Sequence, residues 1–125
     1  MKLTIEQKNI KIAEALGWRE AFPANKEPHP ETRRGGILLP YEWVNEVTHE
    51  RVMSLPNQFT DLNAASEAWK ALICGKEIHK TWRAYLQMIC LRDAPTIGYN
   101  STTNATAAQR SEATGLSLGL WKKGE

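Results

Sequence analysis

The chain reads as a mainly α protein: about four amphipathic helices in one compact domain, residues 1–125, with a small β-hairpin. Three observations predict this. Four stretches repeat apolar residues at steps of three and four, the period of a helix with one buried face. Three of those stretches begin on residues suited to capping a helix. Strand-favouring residues cluster in one short region, 41–55. The bulk composition allows a core to form. The chain has 125 residues, 42% of them hydrophobic and 24% charged, and a chain of that size buries roughly two-thirds of its unfolded surface.

The first helix is predicted over 4–16. Thr4 and Gln7 are spaced as a capping box, and Ile5, Ile12, Ala13 and Leu16 form the apolar face. Gly17 suits the position just past a helix end, and Trp18 follows to fold back on the helix. Residues 20–40 are connective, because Pro23, Pro28, Pro30, Gly35 and Gly36 break both regular periods. A loop this long is either functional or a surface or disordered segment, and Arg33-Arg34 gives it a basic tip. In 41–55, Tyr41, Trp43, Val44, Val47 and Val52 favour a hairpin, and a short helix over 40–48 is the competitor.

The second helix starts at a Thr60 or Asp61 cap and places Leu62, Ala65, Trp69, Leu72 and Ile73 on one face before Gly75. The third carries Ile78, Trp82, Tyr85 and Ile89 on one side and Lys76, His79, Lys80, Arg83 and Gln87 on the other. It ends near Arg92-Asp93, ahead of Pro95. After a polar loop, Thr106 and Gln109 form another capping box for a fourth helix over 107–118. Gly115 inside it costs about 1 kcal/mol of helix stability relative to Ala. The helix closes on Gly119-Leu120-Trp121.

Several function classes find no support in these residues. A net charge of +2 is too small to signal a dedicated polyanion binder. Cys74 and Cys90 lie in apolar helical stretches and read as reduced core thiols. Cys74-x4-His79 does not have zinc-ligand spacing, and His29 and His49 add no pattern, so no metal and no cofactor are expected. No nucleophile elbow, phosphate loop or metalloprotease motif is present. Asp61 is explained as a cap and Glu67 as a surface charge, which leaves no catalytic pair. Polar residues follow Met1-Lys2, and no apolar run reaches membrane-spanning length, so a cytoplasmic protein without a membrane partner is expected.

Two surfaces are candidates for binding. The five tryptophans, Trp18, Trp43, Trp69, Trp82 and Trp121, read as core anchors, one per element. The alternative is that some of them form an interface, where Trp is enriched. Trp43, in the least regular segment, is the candidate for a partner-binding site, together with Tyr41, Arg33 and Arg34. The second surface is the Lys76, His79, Lys80, Arg83 stripe, which is either a solvated helix face or a track for nucleic-acid phosphates.

Ile12-Ala-Glu-Ala-Leu-Gly-Trp18, Asp61-Leu-Asn-Ala-Ala-Ser-Glu-Ala68 and the closing pair Ala105-Thr-Ala-Ala-Gln-Arg-Ser-Glu-Ala113 and Leu118-Gly-Leu-Trp121 together resemble the phage ABA sandwich domain family. The resemblance runs from the first helix to the last, in order. It implies a bacteriophage or prophage origin, and an α+β sandwich as the alternative fold. It brings no catalytic residues. The expectation is a non-enzymatic phage accessory protein in the cytoplasm of the infected host, binding a host or phage protein such as a component of a defence system. Nucleic-acid binding through the basic face is one alternative, and a small ligand or nucleotide held between helices is another. Self-association is left open.

Overall fold

The structure, a computed structural model, describes residues 2–24, 26–34, 37–38, 40–93 and 104–124, with residues 33, 34 and 38 described by their backbone alone. The chain gathers into two compact units, Met1–Ile12 with Asn57–Glu125, and Ala13–Pro56. The described residues form four α-helices and a small three-stranded antiparallel sheet. None of these helices is long and apolar enough to cross a membrane.

The helical unit holds the start of α1 (Ile5–Ala15) and the whole of α2 (Leu62–Leu72), α3 (Ile78–Asp93) and α4 (Ala107–Ser117). The caps are where the spacing predicts them. Gln7 N donates to Thr4 Oγ1 at 3.1 Å, and Thr4 N donates to Gln7 Oε1 at 2.9 Å. Thr106 and Gln109 repeat the arrangement at 2.9 and 3.1 Å. Asp61 accepts from Asn63 N and Ala64 N at the head of α2. Each of these caps gives a partner to orphan donors in the first turn.

The core of this unit is Ile73, Trp82, Leu86, Ile89, Cys90, Ala105 and Ala113, with Trp69, Tyr85 and Leu116 packed against it. Cys90 is buried as expected, and burial is the main reason its thiol pKa is raised. Cys74 departs from expectation. It is exposed, because α2 ends at Leu72 and the chain turns out through Gly75, whose φ is +74°.

Gly115 has a packing reason. A Cβ there would lie 1.9 Å from Cη2 of Trp121, so the indole rests directly on the backbone of α4. The same indole donates to Glu112 Oε1 at 3.1 Å. Glu112 also holds Lys8 of α1 through both oxygens at 3.1 Å, with the ammonium 5.2 Å from the Trp121 ring centre. One aromatic ring thus covers an ion pair that joins the first helix to the last.

The sheet unit contains β1 (Trp18–Glu20), β2 (Arg33–Arg34), β3 (Ile37–Leu38), β4 (Trp43–Asn45) and β5 (Arg51–Val52). The sheet order is β1-β4-β5, and β2 pairs with β3 as a separate ribbon. The hairpin expected in 41–55 is present as β4 and β5, and the competing helix over 40–48 is not. The third strand, β1, begins on Trp18, which pairs opposite Asn45.

Asn45 organises this unit. It is buried, accepts from Val47 N and Thr48 N, and donates to Leu16 O at 3.3 Å. It therefore closes the β4–β5 turn and satisfies an orphan carbonyl at the end of α1. Gly17 has φ +101°, and a Cβ there would meet Val47 Cγ2 at 2.8 Å. The described part of 20–40 is built rather than loose. Thr32 is fully buried and ends a 3-10 turn over Pro30–Thr32, and His29 N donates to Ala21 O at 2.8 Å.

Candidate functional site

Two clefts, one in each unit, differ in their chemistry. In the sheet unit, β1 and β4 pair so that Glu20 stands opposite Trp43. Residues directly opposite in an antiparallel pair share a face. Ala21 N donates to Glu42 O at 2.9 Å, which continues the pairing past the strand end and brings Phe22 alongside. The result is a cleft of about 380 Å³ lined by Glu20, Phe22, Ala24, Glu42 and Trp43. Phe22 is 47% exposed and Trp43 is half-buried. Arg19 does not neutralise the cleft. Its guanidinium contacts Glu46 at 3.4 Å and the carbonyls of Glu14 and Trp18.

In the helical unit, α2, α3 and α4 enclose a groove of about 360 Å³. Trp69 and Trp82 form its aromatic wall, and Lys70, Arg83 and Arg110 supply its charge. The two indole centres are 5.7 Å apart. His79 stacks on Trp82 at 5.8 Å and 21° and meets Trp69 edge-on at 5.6 Å. Trp82 is fixed in place, because its Nε1 donates to Thr114 Oγ1 at 3.2 Å while that hydroxyl donates to Arg110 O at 3.0 Å. Trp69 Nε1 is buried with no acceptor among the described residues.

The structure divides the residues singled out from sequence. Of the partner-binding set, Trp43 lines the sheet-unit cleft, and Tyr41 is half-buried two residues before it. Arg33 and Arg34 form β2, whose side chains lie outside the described set. Of the basic stripe, Arg83 lines the groove and His79 supports its wall. Lys80 is exposed at the head of α3, 4.0 Å from Glu77. Lys76 precedes α3, and its Nζ donates to Ala71 O at the end of α2. Sequence reasoning missed Phe22, Glu20 and Glu42, and it missed Lys70 and Arg110. Each of them reaches its cleft through pairing between elements that carry no shared sequence pattern.

Asp61 and Glu67 do not converge. Asp61 caps α2, and Glu67 sits on its outer face, 3.7 Å from Lys70. His29 and His49 pair with Glu46 and Glu31 respectively, and among the described residues no three His, Cys, Asp or Glu side chains gather as a metal site would require. Charge is also divided between the units. Residues 13–56 carry seven acids and five bases, while the rest of the chain carries eleven bases and seven acids. No family model, curated protein or solved structure matches the chain.

Proposed function

We propose that this is a non-enzymatic binding protein that captures a protein partner in the sheet-unit cleft. One observation carries the reading. Two aromatic rings, Phe22 and Trp43, line a cleft whose two charged residues, Glu20 and Glu42, are both acidic. Neither carboxylate is ion-paired among the described residues. Exposed aromatics flanked by unneutralised charge are the anchors that interfaces use. The matching partner surface is a basic segment with an apolar side chain to set between the rings. The resemblance of the three motifs to phage proteins supports a bacteriophage or prophage accessory role, with a host protein in the bacterial cytoplasm as the partner.

The test uses the full chain immobilised against host lysate, followed by titration with the purified partner. Wild type is expected to retain a defined host protein. The double variant Glu20→Lys, Glu42→Lys is expected to bind it at least tenfold more weakly, since both changed residues are exposed and like charge at an interface is strongly disfavoured. Equal retention by the double variant, or no retained partner at all, would sink the reading.

A further inference from the structure

We infer that the groove of the helical unit is a second binding site, and that it takes a phosphorylated ring compound of the mononucleotide class. This site is independent of the sheet-unit cleft. Its lining joins two recognition chemistries in one place: an aromatic wall of Trp69 and Trp82, and three cations, Lys70, Arg83 and Arg110, with no acid among the lining residues. The half-buried Trp69 is the ring on which a flat base can stack, with the buried Trp82 packed 5.7 Å behind it, and the lining cations suit a phosphate, so the two halves of a nucleotide match the two halves of the groove.

The cations differ in how ready they are. Arg83 is exposed and makes no ion pair among the described residues. Among the described residues Lys70 has only the solvent-exposed contact with Glu67 at 3.7 Å, which is weak enough to give way to a phosphate. Arg110 is anchored through Nε to Ala105 O at 3.0 Å, so its guanidinium is held at the end of α4 nearest the groove. The aromatic side is preorganised as well. Thr114 fixes the Trp82 indole and His79 backs it, so little ordering remains to be done on binding.

Size limits the ligand. A groove of about 360 Å³ is near the lower end of ligand pockets, which run about 300–1,000 Å³. One base and one phosphate fill such a space. The other two cations of the stripe, Lys76 and Lys80, lie outside the lining, so the geometry favours a discrete ligand over a strand tracked along α3.

The experiment titrates the 15N-labelled full chain with AMP and UMP, and with adenosine and ribose 5-phosphate as half-ligands. Tryptophan indole N–H signals are followed by NMR, with Trp69→Phe and Trp82→Phe used for assignment, and affinities are measured by calorimetry. A mononucleotide should bind saturably and move the Trp69 and Trp82 signals while leaving those of Trp18 and Trp43 in place. Each half-ligand should bind at least tenfold more weakly. Arg83→Glu should weaken binding tenfold or more, and Lys80→Glu less than twofold. Both positions are exposed, and the dispersion of the spectrum reports whether each variant folds. Absence of saturable shifts with either mononucleotide at millimolar concentration would overturn the inference, as would unchanged affinity in Arg83→Glu. So would an oligonucleotide whose binding falls equally with Lys80→Glu and Arg83→Glu, since that describes a polymer on the helix surface.

Discussion

The helical unit and the sheet unit solve the same problem by different means. The helical unit is held by volume. Ile73, Leu86, Ile89 and Ala113 are nearly inaccessible, and the Trp121 indole sits on bare backbone at Gly115. The sheet unit has strands of two or three residues, too short to be stable by pairing alone. Single polar side chains brace its turns: Asn45 bonds three backbone groups, Thr32 Oγ1 donates to His29 O at 2.6 Å, and His29 Nδ1 accepts from Glu31 N at 3.1 Å. With Nδ1 accepting, Nε2 carries the proton that faces Glu46 at 3.2 Å. The difference teaches where each unit is vulnerable. Adding an atom should break the first, and removing one should break the second.

The largest expected effect tests the helical side. Gly115→Ala gains about 1 kcal/mol in helix propensity but places a methyl 1.9 Å from the indole. An approach this short should cost about 4 kcal/mol, above the usual range for overpacking, and leave a net loss of about 3 kcal/mol in urea melts. A neutral or stabilised variant would show that Trp121 does not close on the helix. Asn45→Ala tests the sheet side. It leaves Val47 N, Thr48 N and Leu16 O without their side-chain partner, at a cost of about 2–3 kcal/mol. Amide exchange should quicken across 43–52 while the α3 core amides stay protected, and uniform loss of protection would erase the contrast between the two units.

The smallest effect sharpens the comparison within the helical unit. Asp93 is bonded to Arg92 at 2.9 Å and to Gln109 at 3.0 Å, and these bonds, Arg92 first, hold its carboxyl below the usual carboxylate range. A carboxylate with a depressed folded-state pKa stabilises the protein above its unfolded pKa, and that contribution is lost as pH falls through the folded value. Asp93→Asn should therefore lose less stability than wild type between pH 7 and pH 3. The difference should stay under about 1 kcal/mol, because the pair is solvent-screened. A larger gap in paired denaturation curves would mean that polar links, and not volume alone, carry this unit too.

Local chemistry was legible in the sequence where the signal itself is local. The capping boxes at Thr4 and Thr106, the Asp61 cap and the apolar stripe of α3 are encoded within a few residues, and all form as spaced. β1 was not legible, because three residues, Trp18-Arg19-Glu20, are too few to alternate and their partner lies 25 residues away at Trp43–Asn45. Gly115 read as a weakness because its reason, Trp121, acts through space. Both clefts escaped in part for the same cause. Trp43 and Arg83 stood out by type, but the residues that give each cleft its charge, Glu42 with Glu20 and Lys70 with Arg110, come together only through strand register and helix packing.

The Lys8–Glu112 ion pair has a consequence for how the protein is made. Its partners are 104 positions apart, so at the usual 5–20 residues per second of synthesis the nascent first helix waits roughly 5–20 s for its counterpart. Through that interval the Lys8 ammonium, which ends up buried, is without the carboxylate that holds it in the finished fold. Residues 13–56, by contrast, are contiguous and leave the ribosome as a completed set.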